Sequence, residues 1–458
     1  MSEWNQAQHH ARRARRFYRA GQWERALEEL REALERRPHE GDWWFGLGLT
    51  LDALDRYDEA ADAFEKALKQ RGEDVPGLLH LGIDLLRAGN PGKAIGVFEQ
   101  MNRLDPGVEL GYVHRVLAYG LLGMHDQAEL MFYLGLQVAE DDPSGGDDRA
   151  QAMAHDHMAQ SLLVRGDHTR AVWCWQEALR RDPAHPDAHR SLAIVHQYLD
   201  QDDKARLHFA QQLEINPSDI ETLMDFADHL LKHGRSAEAG EKYRRALEYD
   251  PTRGLAHQRL GDIALSHGHY GAATDRYERA GQLDPSLPGV RLGLATVCHE
   301  RRDHAGAKRW LTGELAVEGQ TPEQVLELAA MLVELSENGE AIRLLNPLLS
   351  GADDLLMAEN ELYAMGLLCR AAAWVGQGDL TRGILDCERC LSVVPGHRIA
   401  ILQLTTAYYQ AGRFEDARRW LARGLENQPD DPELRQIKRK LWRAQALQGI
   451  RRWLGGSR

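Results

Sequence analysis

The sequence predicts an all-α protein built from a repeated pair of helices. A small residue recurs along most of the 458-residue chain at intervals of 34 residues, apart from two longer intervals of 43 and 42 residues. This residue stands at Ala26, Ala60, Ala94, Ala128, Ala171, Ala205, Ala239, Ala273, Ala307, Ala341, Gly383 and Ala417. No strand-like alternation of apolar and polar residues accompanies it. A fixed period of this length is typical of a stacked repeat array and not of one globular core.

The first helix of each repeat is predicted from apolar residues that precede the small residue at helical spacing. Trp44, Leu47 and Leu51 form this pattern before Ala60, with Gly48 between them. A turn is then expected five residues before the small residue, because glycine and aspartate accept the left-handed conformation that ends a helix. The predicted turn residues are Gly21, Asp55, Gly89, Gly123, Gly166, Asp200, Gly234, Gly268, Gly378 and Gly412.

The second helix follows from residues four and seven positions after the small residue. Phe64 and Ala67 stand there after Ala60, so the small residue, an aromatic and a second compact residue share one helix face. Twelve positions after the small residue, many repeats carry a proline that ends the helix. These prolines are Pro38, Pro106, Pro183, Pro217, Pro251, Pro285, Pro395 and Pro429. Each repeat is therefore predicted to be helix, tight turn, helix and stop.

This pattern resembles the tetratricopeptide repeat family, whose period and residue classes it matches over nearly the whole chain. Twelve repeats begin near Ala7, Gly41, Val75, Glu109, Ala152, Pro186, Ile220, Gly254, Pro288, Pro322, Ala364 and Arg398. The resemblance implies a right-handed α-solenoid superhelix whose first helices line a concave wall. Each short helix pair depends on its neighbours for burial.

Two irregular intervals divide the predicted array. The boundaries give an N-terminal block of about four repeats, a loop insertion, a central block of about six repeats, a C-terminal block of about two repeats and a basic amphipathic capping helix. Their ranges are 1–142, 143–151, 152–355, 356–431 and 432–458. The two interruptions are either tolerated surface insertions or hinges between blocks.

Composition and motifs exclude several functions. The net charge of −14 opposes general binding of nucleic acid. Five scattered cysteines form no disulfide framework, and Cys387 and Cys390 occupy positions that hold core residues in other repeats. No catalytic motif has a supporting strand, so we expect no enzyme activity, cofactor or metal. The sequence has no signal-peptide core and no apolar run long enough to span a bilayer, so the chain is interpreted as a cytoplasmic protein, with export to the periplasm as the alternative. Its preference for arginine over lysine favours a bacterial protein.

The resemblance places the expected binding site on the concave wall. Wall positions in the second to fifth repeats are largely apolar, and those in the following repeats are more polar. The predicted contacts with a protein or peptide partner are Phe45, Leu49, Leu79, Ile83, Leu86, Val113, Leu117, Leu163, Arg190, Gln197, Asp228 and Asp262. We therefore expect a scaffold or adaptor that holds an amphipathic helix or extended peptide. The alternative is that curvature or a neighbouring copy covers this surface.

The last segment of the chain is basic and amphipathic. It is either a capping helix or a helix that contacts anionic lipid or an acidic partner. In the second case the protein is an assembly or membrane-surface factor, and the middle of a second copy could supply the acidic surface of a homo-oligomer. The residues predicted to make these contacts are Arg435, Lys438, Arg439, Arg443, Trp442 and Trp453.

Overall fold

The structure is a computed structural model that describes residues 3–141, 146–350 and 360–441. Throughout these ranges the regular elements are helices, which confirms the predicted all-α solenoid. The chain divides into two compact units, Met1–His229 and Leu230–Arg458. The predicted division into blocks of four, six and two repeats stays a prediction.

Six helix pairs lie within the first unit. They are α1 (Glu3–Arg19) and α2 (Trp23–Arg36), α3 (Gly41–Asp52) and α4 (Tyr57–Arg71), α5 (Val75–Arg87) and α6 (Pro91–Leu104), α7 (Glu109–Leu121) and α8 (His125–Asp141), α9 (Asp148–Arg165) and α10 (His168–Arg181), and α11 (Ala188–Tyr198) and α12 (Asp202–Ile215). The next helix, α13 (Ile220–Lys232), contains the boundary between the units.

The second unit continues the same order of long helices and short turns. Its helices are α14 (Ser236–Tyr249), α15 (Gly254–Ser266), α16 (Tyr270–Leu283), α17 (Val290–Glu300), α18 (His304–Glu314), α19 (Pro322–Glu334), α20 (Asn338–Ser350), α21 (Asn360–Gly376), α22 (Leu380–Val393), α23 (Arg398–Gln410) and α24 (Phe414–Asn427). Residues 432–441 are also helical. Within each unit a first helix packs on its own second helix, and that second helix packs on the next first helix, as α3, α4 and α5 do.

Left-handed turns close the helix pairs at the predicted positions. All ten predicted turn residues have positive φ, from 53° at Asp200 to 88° at Gly378. Arg302 and Ser336 hold the same conformation at the equivalent positions of the ninth and tenth repeats. Since this conformation is unfavourable for residues with a side chain, the surrounding helices hold these two turns.

In several repeats an aromatic residue of the second helix interlocks with a glycine of a first helix. Phe64 lies so close to Gly48 that a Cβ there would be 2.7 Å from the ring, and Phe98 stands in the same relation to Gly82. Both rings are fully buried. The stack therefore buries a series of local cores, including one along residues 14–101 and another along residues 113–195.

Residues 148–151, the last four of the predicted loop 143–151, belong to a helix. The Asp147 carboxylate accepts a hydrogen bond from the backbone N–H of Arg149, at 3.0 Å, and α9 begins at Asp148. An aspartate cap satisfies a backbone donor at the helix end, so the helix extends into the predicted loop.

Candidate functional site

The predicted wall residues lie on successive first helices. In the first unit Phe45 and Leu49 belong to α3, Leu79, Ile83 and Leu86 to α5, Val113 and Leu117 to α7, Leu163 to α9, and Arg190 and Gln197 to α11. Asp228 belongs to α13, and Asp262 belongs to α15 of the second unit. All of these residues except Val113 are half-buried. They lie over the core and retain part of their side chains at the surface.

Val113 does not suit the predicted role of a partner contact, because only 1% of its surface is exposed. Helix α7 packs directly against α9 here, and a ring nitrogen of His157 lies 3.2 Å from the Val113 carbonyl oxygen. The same helix contact places Gly120 beside Ser161. Val113 therefore belongs to the core between two first helices and has little surface to offer a partner.

Aromatic contacts fix the position of Phe45 in the wall. Its ring meets Phe64 edge-to-face at 5.3 Å between centroids and meets His80 at 5.6 Å. His80 stacks on Phe64, and the Arg71 guanidinium lies 4.2 Å from the Phe45 ring centroid. Burial lowers the pKa of His80, which favours the neutral imidazole in this apolar group. These contacts hold the Phe45 ring in one orientation before a partner binds, which reduces the entropic cost of binding.

A buried carboxyl lies beside the apolar wall. Asp84 of α5 is 2% exposed, and its Oδ1 is 4.0 Å from Arg87 Nη1, whereas the same nitrogen approaches Asp52 of α3 at 2.5 Å. Burial, followed by the charge of Asp52, raises the pKa of Asp84 to about 7. Sequence reasoning missed Asp84, because that residue stands outside the wall positions.

We expect Asp84→Asn to change the pH dependence of stability. The folded protein keeps a proton on Asp84 that the unfolded chain releases near pH 4, so the stability contributed by this group falls as pH rises from about 4 to 7. At pH 8 the variant should be more stable than the parent by up to about 4 kcal/mol, since each pKa unit corresponds to about 1.4 kcal/mol, and at pH 4 the two should be nearly equal. Urea unfolding at both pH values measures this. The control is Asp62→Asn at an exposed carboxylate of α4, and an equal effect in both variants would contradict the assignment.

Two polar wall residues are engaged within the fold. Arg190 Nε donates to Asp225 Oδ2 at 2.7 Å, and Asp262 accepts a hydrogen bond from the Tyr277 hydroxyl at 2.7 Å. Burial, followed by the charge of Asp262, raises the pKa of Tyr277, so the hydroxyl stays protonated and remains a donor. A partner at these positions would compete with existing contacts, which makes the apolar part of the wall the better candidate site.

A cavity of about 570 Å³ opens between α1 and α3. It includes the predicted wall residues Phe45 and Leu49 and extends over Ala11, Arg15 and Tyr18 of the preceding first helix. These three residues occupy the same wall positions one repeat earlier. The apolar wall therefore continues into a concave pocket at α1.

The basic end of the chain is partly described. Leu434 and Leu441 are buried against the core of the second unit, and Ile437 packs beside them. Arg435 pairs with Asp430, whereas Lys438 and Arg439 are exposed. Arg443, Trp442 and Trp453 lie outside the described residues. This apolar stripe covers the last repeat, as expected for a capping helix.

Other predicted features can be placed as well. Burial raises the pKa of Cys387 to about 12 and that of Cys390 to about 11, so both thiols stay protonated in the core. Within the ranges that the structure describes, each helix is too short or too polar to cross a bilayer.

Comparisons with known proteins assign the chain to one protein family. One family model described as tetratricopeptide repeat matches residues 11–76, 158–220 and 224–288, and a second with the same description matches residues 375–441. Together these matches cover more than half of the chain.

Individual relatives are distant. The "Protein CTR9 homolog" of Arabidopsis thaliana is 25% identical over 227 residues, which are 47% of this chain and 20% of that protein. The chain thus spans about a fifth of that relative's length. Among solved structures, the chain is similar to the APC/C hetero-tetramer Cut9-Hcn1, with 14% identity and a TM-score of 0.44 over 93% of this chain and 95% of that one. It is also similar to yeast Tom70, with 14% identity and a TM-score of 0.40 over 97% and 96% of the two chains.

Proposed function

The chain belongs to the tetratricopeptide repeat family, and we propose that it is an interaction scaffold that binds an apolar peptide or helix of a partner protein along the wall formed by α3, α5 and α7. The observation that supports this most strongly is the run of half-buried apolar side chains on these helices. They are Phe45, Leu49, Leu79, Ile83, Leu86 and Leu117.

This surface suits an amphipathic partner for two physical reasons. Side chains that are already half-buried bury their remaining apolar area when a second apolar face covers them, at roughly 25 cal/mol per Å². The ring contacts around Phe45 also order the wall in advance, so that little side-chain freedom is lost on binding. A helix with apolar residues on one face can meet such a surface along its length.

The alternative of an assembly or membrane-surface factor has weaker support. Leu434 and Leu441 are buried in the second unit, so this part of the stripe has no free apolar face for a bilayer. The exposed Lys438 and Arg439 leave charge attraction as the remaining means of contact. Homo-oligomer formation and cytoplasmic location also stay proposals.

We expect Ile83→Glu combined with Leu117→Glu to weaken partner capture at least tenfold, because two carboxylates would be placed in an apolar interface without counter-charges. The parent and the variant are used as baits in the native lysate, and the captured protein is quantified by mass spectrometry. Both side chains are half-buried at the surface, so the helical circular dichroism should be unchanged.

The matched control is Leu130→Glu with Leu207→Glu. These leucines lie on the second helices α8 and α12 and are 55% and 56% exposed, so the same charges enter the protein away from the wall. Retained capture by the wall variant, or an equal loss in the control, would refute the proposed surface.

A further inference from the structure

The cavity between α1 and α3 combines an apolar floor with a basic rim. Ala11, Ala14, Leu30, Phe45 and Leu49 supply the apolar lining. The rim consists of Arg12, Arg15, Arg16 and Arg19, which are all exposed. Their spacing of three and four residues places the four guanidinium groups on one face of α1. A volume of about 570 Å³ is sufficient for a bulky side chain together with part of its backbone.

The rim arginines have no ion-pair partner among the described residues. Their neighbour Arg13, which points elsewhere, pairs with Glu29 at 2.9 Å. Asp42, the acid at the cavity, lies 3.7 Å from Arg71. The cavity therefore has an excess of positive charge inside a protein whose net charge is −14.

The helix dipole accounts for the positions of only two of the four rim arginines. Arg16 and Arg19 lie in the last turn of α1, where positive charge interacts favourably with the helix dipole. Arg12 and Arg15 lie earlier in the helix and lack this benefit. Like charges at this spacing repel one another, and a bound anion would relieve the repulsion.

We propose that this cavity binds an acidic peptide segment of a partner protein, with one bulky apolar side chain on the floor and flanking carboxylates on the arginines. The inference rests on the proposed function and names the partner chemistry at the α1 end of the wall. Guanidinium groups recognise carboxylates through paired hydrogen bonds, and the apolar floor gives the neighbouring side chain a place away from water. The acidic remainder of the protein disfavours a long polyanion such as nucleic acid.

Gly46 allows the floor to be filled without disturbing the core. It lines the cavity, and a Cβ there would meet Leu30 side-chain atoms at 3.7 and 4.0 Å, which is ordinary contact. We expect Gly46→Met to occupy the cavity while keeping or raising the unfolding midpoint, since methionine favours helix over glycine. The control is Gly96→Met on α6, where a Cβ would meet nothing within 4 Å.

The probe is a short fluorescent peptide with blocked ends, in which one phenylalanine is flanked by glutamates. Fluorescence anisotropy with the full chain should show binding that Gly46→Met weakens at least tenfold and Gly96→Met leaves unchanged. Replacing the glutamates of the peptide with glutamine, or its phenylalanine with alanine, should each weaken binding at least tenfold.

A second pair of variants tests the rim independently. Arg12→Gln with Arg15→Gln should weaken binding of the acidic peptide about tenfold. The control, Lys69→Gln with Lys93→Gln, removes the same charge from exposed positions on α4 and α6 and should leave binding of the peptide unchanged. If Gly46→Met fails to fold, this pair decides the outcome. Equal binding of the glutamate and glutamine peptides, or unchanged binding by the rim variant, would overturn the inference. Loss of capture by the wall variant would still support the scaffold in that case.

Discussion

Replacing Arg370 with alanine is expected to lower the free energy of unfolding by about 3–5 kcal/mol. Arg370 of α21 and Asp386 of α22 are 9% and 3% exposed. The guanidinium donates two hydrogen bonds of 2.8 Å to the two oxygens of this carboxylate and a third, of 3.1 Å, to Asn346. Removing the arginine leaves a carboxylate inside the second unit without its main partner. Urea unfolding followed by circular dichroism measures the loss.

Two further variants separate the buried charge from simple loss of packing. Arg370→Met with Asp386→Leu removes both charges and should recover most of the stability, since an apolar pair can replace a buried ion pair. Arg370→Lys keeps the charge but loses the paired geometry, so an intermediate loss is expected. If the double variant were as unstable as Arg370→Ala, the loss would come from packing and the interpretation would be wrong.

Gly82→Leu is expected to destabilise the first unit by about 3 kcal/mol through overpacking. A Cβ at Gly82 would lie 2.5 Å from Phe98 Cζ, and the buried ring has little room to move because it stacks on His114 of the next repeat. The leucine therefore has to displace an aromatic ring that joins two consecutive repeats. The shift in the urea midpoint gives the measurement.

The control for this effect is Gly96→Leu, where a side chain would enter open space. It should be neutral or stabilising, because leucine favours helix over glycine. The combination of Gly82→Leu with Phe98→Ala should be less unstable than the sum of the single changes, since the smaller residue makes room for the leucine. Additive losses would show that the two positions do not interlock.

Much of the fold follows from residues whose role is local. A glycine or aspartate that closes a turn, and a small residue opposite an aromatic, are required wherever two helices pack as a hairpin. These positions therefore recur at a fixed period that sequence can detect. Arg302 and Ser336 adopt the same turn conformation without the expected residue type. Their position in the period identifies them, because packing of the flanking helices determines the turn.

The candidate site was less predictable, because exposure depends on how neighbouring helices approach one another. Val113 occupies a wall position in its repeat, yet the contact between α7 and α9 buries it. Asp84 lies outside the wall positions, and its raised pKa arises from burial and from Asp52 on another helix. The sequence predicted no site at α1, whereas the structure places four arginines of this helix around a cavity that it shares with α3. Each difference involves residues distant in sequence.

The most direct test of the proposed scaffold is a titration of the purified captured partner against three forms of the protein. These are the parent, Ile83→Glu with Leu117→Glu, and Leu130→Glu with Leu207→Glu. We predict that the first variant binds at least tenfold more weakly than the parent and that the second binds equally well. Equal affinity of the parent and the first variant, or a matching loss in both variants, would contradict binding along α3, α5 and α7.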